Sequence, residues 1–389
     1  MPENPSRKDA EQALHSLRHF FRTFAFADAT MTYDGDLHVG VVADSNPQMD
    51  ESTFLNGLMT GVCRQSLETA PGFLTSAPTF SGAGTGKGLL VKAVTIIATG
   101  IRPQAFTSGH DELELDKRLS SALIEARPCI FLDNFNAKDL KSDILASALT
   151  ESTMMVRVFG KTKNVPLFTR AFIAITGNGI QIAEDMARRL LLCNLDAKME
   201  NPEQRQFKGG FLDRVYEQRA ELLTAVLTIW RYGQQNEIRR GLPLGNYELW
   251  ARWVRDPLLD LGCQDPVLRI VQIKADDPRR KAIAEVFEAW WRQHGDQPVK
   301  ANGLHDEVKQ LLEPNATMVD GILKYNRQRV ARWLVQHKGT RVGGYWIEEV
   351  VDIHNIRNRG TTYRLHTPYE ELTQPISIHA PKYQFMGFK

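Results

Sequence analysis

Between Thr75 and Gly100 the chain reads TSAPTFSGAGTGKGLLVKAVTIIATG, and no other stretch limits its possible folds so strongly. A short apolar segment, Gly72-Phe73-Leu74, runs into a glycine-rich turn and then Gly86-Lys87. An amphipathic run follows, with Leu89, Leu90, Ala93, Val94 and Ile97 on one helical face, and closes at Gly100. Strand, glycine turn, lysine and helix make up the context of a phosphate-binding loop. Glycines let backbone N–H groups curl around phosphates, the helix N-terminus adds positive potential, and Lys87 adds a point charge. The loop is therefore expected over Gly82, Ala83, Gly84, Thr85, Gly86, Lys87 and Gly88. Two positions depart from G-x-x-x-x-G-K-[ST]. Ser81 stands where the first glycine belongs, and Gly88 replaces the hydroxyl that ligates Mg²⁺, so Thr85 or water has to fill that place. The competing reading is a plain β–α turn with a chance lysine, and the rest of the chain has to decide.

From Gly72 to Ala197 apolar runs alternate with helical segments, the pattern of a mostly parallel sheet with helices on both faces. Glu112 to Ala126 is a helix with Leu113, Leu119, Ala122 and Leu123 inward; Pro128 to Asp133 is a buried strand ending in a carboxylate. Asp139 to Leu149 reads as helix, Met154 to Phe168 as a hairpin, and Arg170 to Asn178 as a second buried strand. A short helix over Ile182 to Leu190 and a last strand over Leu191 to Leu195 complete the region. In an open α/β sheet ligands bind beyond the carboxyl ends of the strands. Lys87, Asp133 and Asn178 all fall at such ends. Asp133 occupies the position of an Mg²⁺ ligand, and Asn178 that of a residue orienting an attacking water or reading a γ-phosphate. Separately each has a bland alternative, a β–α turn carboxylate or an Asn-Gly turn; together and in this order they favour a nucleotide site. The general base is open. Asn134 follows Asp133 and takes no proton, which leaves Glu125, Asp133 itself or a neighbouring subunit.

The paired Arg188 and Arg189 suit an arginine finger that reaches a neighbouring subunit's γ-phosphate, against a simple salt bridge to Glu184 or Asp185. In the hairpin, Arg157, Lys161 and Lys163 surround Phe159. Such a basic tip is suited to track a phosphate backbone, and its bland alternative is a solvated turn.

Outside this core, residues 1–71 read as a helical lead-in, with helices at Ala10 to Phe21 and Glu51 to Leu67 and short strands near Asp34-Gly35. Residues 201–295 read as a helical extension and linker, in which Gly241 to Gly262 is turn-rich. In 296–368, helices over Asn302 to Leu312 and Asn326 to Gln336 precede a ribbon at Thr340 to Ile347 and Thr361 to Leu365, the order of a winged helix; 369–389 is a tail. The net charge of +2 restricts any nucleic-acid site to a local patch. The four cysteines form no C-x-x-C pair and are expected as buried thiols in a reducing compartment. With no signal-peptide core and no run of membrane-spanning length, a cytoplasmic protein without a membrane partner is expected.

Taken together, SAPTFSGAGTGKGLL, DELELDKRLSSALIEARPCIFLDNFN, LASALTES, VRVFGKTK, FIAITGNG and DMARRLLLCNLDAKMENPEQRQF carry a family resemblance. With LGNYELWARWVRDPLLDLG and RVARWLVQHKGTRVGGYWI, they resemble the helicase part of phage and mobile-element primase–helicases, related to superfamily 3 and the AAA+ class. The likeness runs from about Leu67 to Leu365. It implies an α/β fold of P-loop AAA+ type between a helical lead-in and a C-terminal winged helix. It also implies a homo-hexameric ring that hydrolyses ATP with Mg²⁺ and translocates on single-stranded DNA. On that likeness Lys87 binds phosphate, Asp133 holds Mg²⁺, Asn178 senses the γ-phosphate, Arg188 or Arg189 is the finger, and Lys161 and Lys163 touch DNA. Asp-Asn in place of Asp-Glu after the second strand is usual in that family. The chain departs in showing no primase or nickase domain ahead of this region, which leaves a separate primase partner or a longer parent protein. Arg327, Arg329, Arg332, Lys338 and Arg341 in the winged helix suit duplex DNA. The alternative to a motor is a nucleotide-switched DNA-binding regulator that assembles with ATP without unwinding.

Overall fold

A capping box at Ser6 and Asp9 starts α1 (Arg7–Phe21), whose Leu14, Leu17 and Phe21 turn inward. In the computed structural model the described residues are 1–79, 82–107, 112–136, 139–140, 142–158, 163–182, 184–205, 207, 209–313, 316–319, 322–350 and 361–367. Two compact units divide the chain, Met1–Lys274 and Ala275–Lys389.

In the first unit, α1 is followed by the antiparallel pair β1 (Met31–Asp34) and β2 (Val39–Val42), then α2 (Met49–Cys63). The sheet region contains β3 (Gly72–Ala77), α3 (Lys87–Thr99), β4 (Ala105–Phe106), α4 (Glu112–Ile124), β5 (Cys129–Leu132), β6 (Asp139–Leu140) and α5 (Asp143–Thr150). It continues through β7 (Thr153–Arg157), β8 (Asn164–Phe168), β9 (Phe172–Asn178), β10 (Gln181–Ile182), α6 (Glu184–Ala187) and β11 (Leu190–Asn194). Five of these strands form one sheet in the order β11-β3-β9-β5-β4, and every pairing in it is parallel. Such a sheet is buried on both faces, which is why its strands read as near-continuous apolar runs. Successive side chains alternate between two cores. Phe73, Phe131, Ala174 and Leu191 meet α2 and α3, and Leu74, Leu132, Ile175 and Leu190 meet α4 and α5.

The helical faces differ from expectation at single positions. Leu89 and Leu113 are exposed, and Leu115 takes the inward place in α4. The short helices α5 and α6 begin later than expected, because β6 and β10 pair with each other first. All four cysteines are buried free thiols; burial pushes Cys129 and Cys263 up to about 12.

Beyond the sheet, α7 (Phe211–Glu217) and α8 (Arg219–Gln235) pack on α3 and α1. The second half of Gly241 to Gly262 is no turn-rich link. It folds as continuous helix, α9 (Glu248–Trp250), a π turn (Ala251–Arg255) and α10 (Asp256–Asp260). Trp250, Val254 and Leu258, spaced by one turn, are fully buried, and Trp250 Nε1 donates to Thr60 Oγ1 at 2.8 Å. Arg255 is buried there beside Asp256, at 2.7 Å. α11 (Val267–Asp276) follows, and its Arg269 pairs with buried Asp50.

The second unit contains α12 (Pro278–His294), β12 (Val299–Lys300), α13 (Asp306–Leu312), the hairpin β13 (Thr317–Val319) and β14 (Ile322–Lys324), and α14 (Arg327–His337). Then come β15 (Arg341–Val342), β16 (Tyr345–Val350) and β17 (Thr362–His366). These last strands and β12 form an antiparallel sheet in the order β12-β17-β16-β15. Phe287 and Trp290 of α12 share a core with Val308, Leu334, Ile347 and Leu365, so this helix belongs to the second unit by its packing. The expected tail lies outside the described residues. No helix of the described residues is long and apolar enough to cross a membrane.

Candidate functional site

The parallel sheet delivers β3, β9 and β5, side by side, to one edge where their carboxyl ends lie. From β3 the chain enters the glycine-rich loop, whose described part is Gly82 to Gly86, and then α3. Gly84 and Gly86 have φ of +71° and +100°, which side chains rarely tolerate. At Gly82 space is the constraint: a Cβ there would lie 2.3 Å from Pro78 O and 2.6 Å from Asn178 Oδ1. Gly86 caps α3 without any side-chain bond, and the amides of Lys87 and Gly88 have no partner among the described residues. Gly88 has room instead, since a Cβ there would find its nearest neighbour, Phe131 Cζ, at 3.9 Å.

Lys87 starts α3 and folds over the loop. Its ammonium donates to Gly82 O and, at 3.2 Å, to Thr85 Oγ1. Thr85 is buried and its hydroxyl donates to Gly82 O at 3.0 Å, so it braces the loop from inside and presents no hydroxyl to a metal. Burial pushes the Lys87 amine down to about 8, opposed by the negative charge of Asp133. The loop leaves the end of β3 and Asp133 the end of β5, with β9 between them.

Asp133 follows β5 and is held in place by its neighbours. Thr176 Oγ1, on β9, donates to Asp133 Oδ1, and the backbone N–H of Asn134 donates to the same oxygen at 3.1 Å. Asn134 adopts φ +58°, a left-handed turn that asparagine accepts. Asp133 Oδ2 accepts no bond among the described residues, and they contain no cluster of three or more metal-ligating side chains. One carboxylate fits Mg²⁺ in the usual way, in which phosphates and waters supply the other ligands. Asn178, at the end of β9, receives its backbone anchor from Asn136 Oδ1 at 2.8 Å. Its own Oδ1 is buried without a partner among the described residues.

The remaining expected residues lie elsewhere. Glu125 sits before β5 begins, at the opposite edge of the sheet, and pairs with Arg127 at 2.6 Å; it is no base for this site. Arg188 and Arg189 precede β11, and Arg189 O accepts from Gly72 N at 2.8 Å, where β3 starts. They too occupy the opposite edge, near Tyr247, whose phenol burial pushes up and both arginines pull down. In the hairpin of β7 and β8, Arg157 pairs with Asn164, and Arg157 and Lys163 are exposed. Lys161 and Phe159 fall outside the described residues. Buried Arg64 holds the base of the hairpin by donating to Leu67 O at 2.7 Å, Ala171 O at 3.1 Å and Thr169 O.

Sequence reasoning missed two participants. Thr176 carried a signal, a hydroxyl inside an apolar strand. Arg205 carried none: it reaches back about 120 residues, and its Nη2 donates to Gly84 O and Thr85 O, each at 3.3 Å.

The low pKa of Lys87 gives a pH dependence. The amine is charged below about 8 and neutral above it, so its attraction for phosphate is lost as pH rises through that value. Between pH 7 and 9 the affinity for ATP should fall by up to about tenfold. Calorimetric titration at pH 7, 8 and 9 checks this, and a flat profile would count against a phosphate role for Lys87.

No family model matches the chain, and no curated protein sequence does. Among solved structures it is similar to the apo A form of the NrS-1 C-terminal region, with 12% sequence identity and a TM-score of 0.41. The alignment covers 87% of this chain and 83% of that one. Similarity at that level carries no argument about this molecule, so function rests on the strand ends.

Proposed function

We propose that this chain is a Mg²⁺-dependent P-loop ATPase that drives a DNA helicase or translocase in replication of a phage or mobile element. The observation that carries the reading is the meeting of Lys87, Asp133 and Asn178 on adjacent strand ends, with Asp133 acting electrostatically on Lys87. The loop amides and Lys87 would bind the β- and γ-phosphates of ATP. Mg²⁺, held by Asp133, would neutralise charge on those phosphates. Thr176 fixes the carboxylate that would hold it. Asn178, whose Oδ1 is buried against Gly82 of the loop, would read the γ-phosphate or, once turned outward, orient the attacking water. Because Arg188 and Arg189 lie at the far edge of their own sheet, a finger role is open to them only toward a second copy, in keeping with hydrolysis at the subunit interfaces of a homo-hexamer. Single-stranded DNA would be tracked by Arg157, Lys161 and Lys163. The helices and antiparallel sheet of the second unit, read as a winged helix, would contact duplex DNA. A separate primase remains a partner of this scheme, and the cytoplasm its compartment.

The test is ATP hydrolysis with and without single-stranded DNA. The wild type is expected to be stimulated several-fold, and the double substitution Lys161→Ala, Lys163→Ala to lose the stimulation while keeping unstimulated turnover. Stimulation that survives the double substitution sinks the tracking role. A second reading is the nucleotide-switched regulator, which assembles with ATP without unwinding. It predicts ATP-dependent assembly with turnover indifferent to DNA.

A further inference from the structure

At the edge of the parallel sheet away from the loop, where β5 and β9 begin, a cavity of about 430 Å³ opens at the base of the β7–β8 hairpin. Much of its wall is carbon: Leu123 and Ala126 from the end of α4, Phe168 from the end of β8, and Ala171 just ahead of β9. Two guanidiniums, those of Arg127 and Arg170, share the lining. We propose that this cavity receives the acidic C-terminus of a partner protein, with an apolar last residue in the hole and its carboxylate on the arginines.

Charge selects such an occupant. Arg170 is exposed yet fixed in place, because its Nη1 donates to Gln65 O at 2.9 Å and Gln65 Nε2 donates to Arg170 O at 3.2 Å. No carboxylate among the described residues pairs with it, so the rest of its fork is open to an incoming one. Behind the wall stands Arg64, only 4% exposed, whose bonds all go to backbone carbonyls, one of them Ala171 O at 3.1 Å. It too has no carboxylate partner among the described residues. Burial and the charge of Arg170 bring its pKa down to about 10. Arg127 alone is bonded to a carboxylate, the exposed Glu125 at 2.6 Å. Three arginines against one glutamate leave the cavity positive.

Shape selects as well. Phe168 is 74% exposed, a large apolar surface left to water beside the arginines. A single strand of DNA asks for cations spaced along a groove with flat faces between them. Here the cations gather around one apolar hole. The last residue of a chain carries an apolar side chain and a carboxylate together, and Arg grips a carboxylate through two parallel bonds. Acidic residues before it would answer the remaining positive charge.

Fluorescence anisotropy on the full chain would use a labelled peptide, Asp-Asp-Asp-Gly-Gly-Phe with a free carboxylate, beside the same peptide as its C-terminal amide. The wild type is expected to bind the free acid with a Kd of about 100 μM or tighter, and the amide at least about fivefold more weakly. Arg170→Glu and Phe168→Ser are each expected to weaken the free acid at least about tenfold while melting within a few degrees of wild type. A variant that melts lower is replaced by Arg170→Lys, which keeps the charge, loses the fork and is expected to bind about fivefold more weakly. Nucleotide is absent throughout, so the outcome is independent of the ATPase reading. A wild type that binds no free acid overturns the proposal. Equal affinity for acid and amide overturns the chain end as occupant, and so does binding that both variants keep. Displacement of the peptide by oligothymidylate, with DNA-stimulated turnover lost in Arg170→Glu, would assign the cavity to DNA instead. A Phe168→Ser chain that no longer assembles like wild type and still binds peptide would assign it to a second copy.

Discussion

Lys87→Ala is expected to lower ATP turnover by about two orders of magnitude or more, the scale on which a single group aimed at developing charge acts. Its melting temperature is expected to stay within a few degrees of wild type. The two expectations come from the same geometry. Lys87 sits at the first turn of α3, folded over Gly82 O and Thr85, and is not paired at bonding distance with a carboxylate of the described residues. Burial pushes its pKa down from 10.5 to about 8, which means that the folded chain holds this charge against desolvation. The folded pKa being the lower one, the penalty is fully present below pH 8 and disappears as pH rises from about 8 toward 10.5. Alanine removes two hydrogen bonds and this penalty together, so the changes in stability oppose each other. Turnover has no such compensation. A phosphate-release assay beside a thermal melt separates the two, and normal turnover in Lys87→Ala would refute the phosphate-loop assignment.

The parts of this site that were legible in the sequence are those written in local pattern. The run CIFL before Asp133 and the run FIAIT before Gly177-Asn178 are continuous and apolar because β5 and β9 are covered on both faces. The glycines of the loop stand out because no other residue type fits φ near +100° at Gly86. Other parts depend on contacts between distant residues and were not legible. Arg205 belongs to the site through carbonyls roughly 120 residues earlier, in a segment without periodicity. The helix over Glu248 to Asp260 was hidden by Gly245, Asn246 and Pro257 around it, although Trp250, Val254 and Leu258 had the right spacing. Tertiary burial overrode the turn signals there. The hairpin β13–β14 was missed for a related reason, since its strands are three residues each, too short for an alternation to register.

Gly177→Ala should disable the same edge without touching any group that contacts ligand. Gly177 is in β9, between Thr176 and Asn178, and a Cβ there would lie 2.1 Å from Phe135 O and 2.7 Å from Ile180 Cδ1. The first of these is backbone, so no rotamer change relieves it. Phe135 N donates to Thr176 O at 2.8 Å, and this bond ties the turn after Asp133 to β9. Room for a methyl group has to come from parting the two chains. The Thr176 hydroxyl and the Asn134 amide then lose their common hold on Asp133, and Asn136 its hold on Asn178. Overpacking of this kind costs about 1–3 kcal/mol, which corresponds to a drop in melting temperature of roughly 5 °C. Turnover should fall at least about tenfold, because displacing catalytic groups by an ångström is expensive even when all of them are present. Gly88→Ala provides the contrast, since its new methyl meets nothing closer than 3.9 Å and its melting temperature should match wild type. If Gly177→Ala kept both wild-type turnover and wild-type melting, the close apposition of β9 and the Asp133 turn would not be what positions the site, and the electrostatic coupling of Asp133 to Lys87 would lose its structural basis.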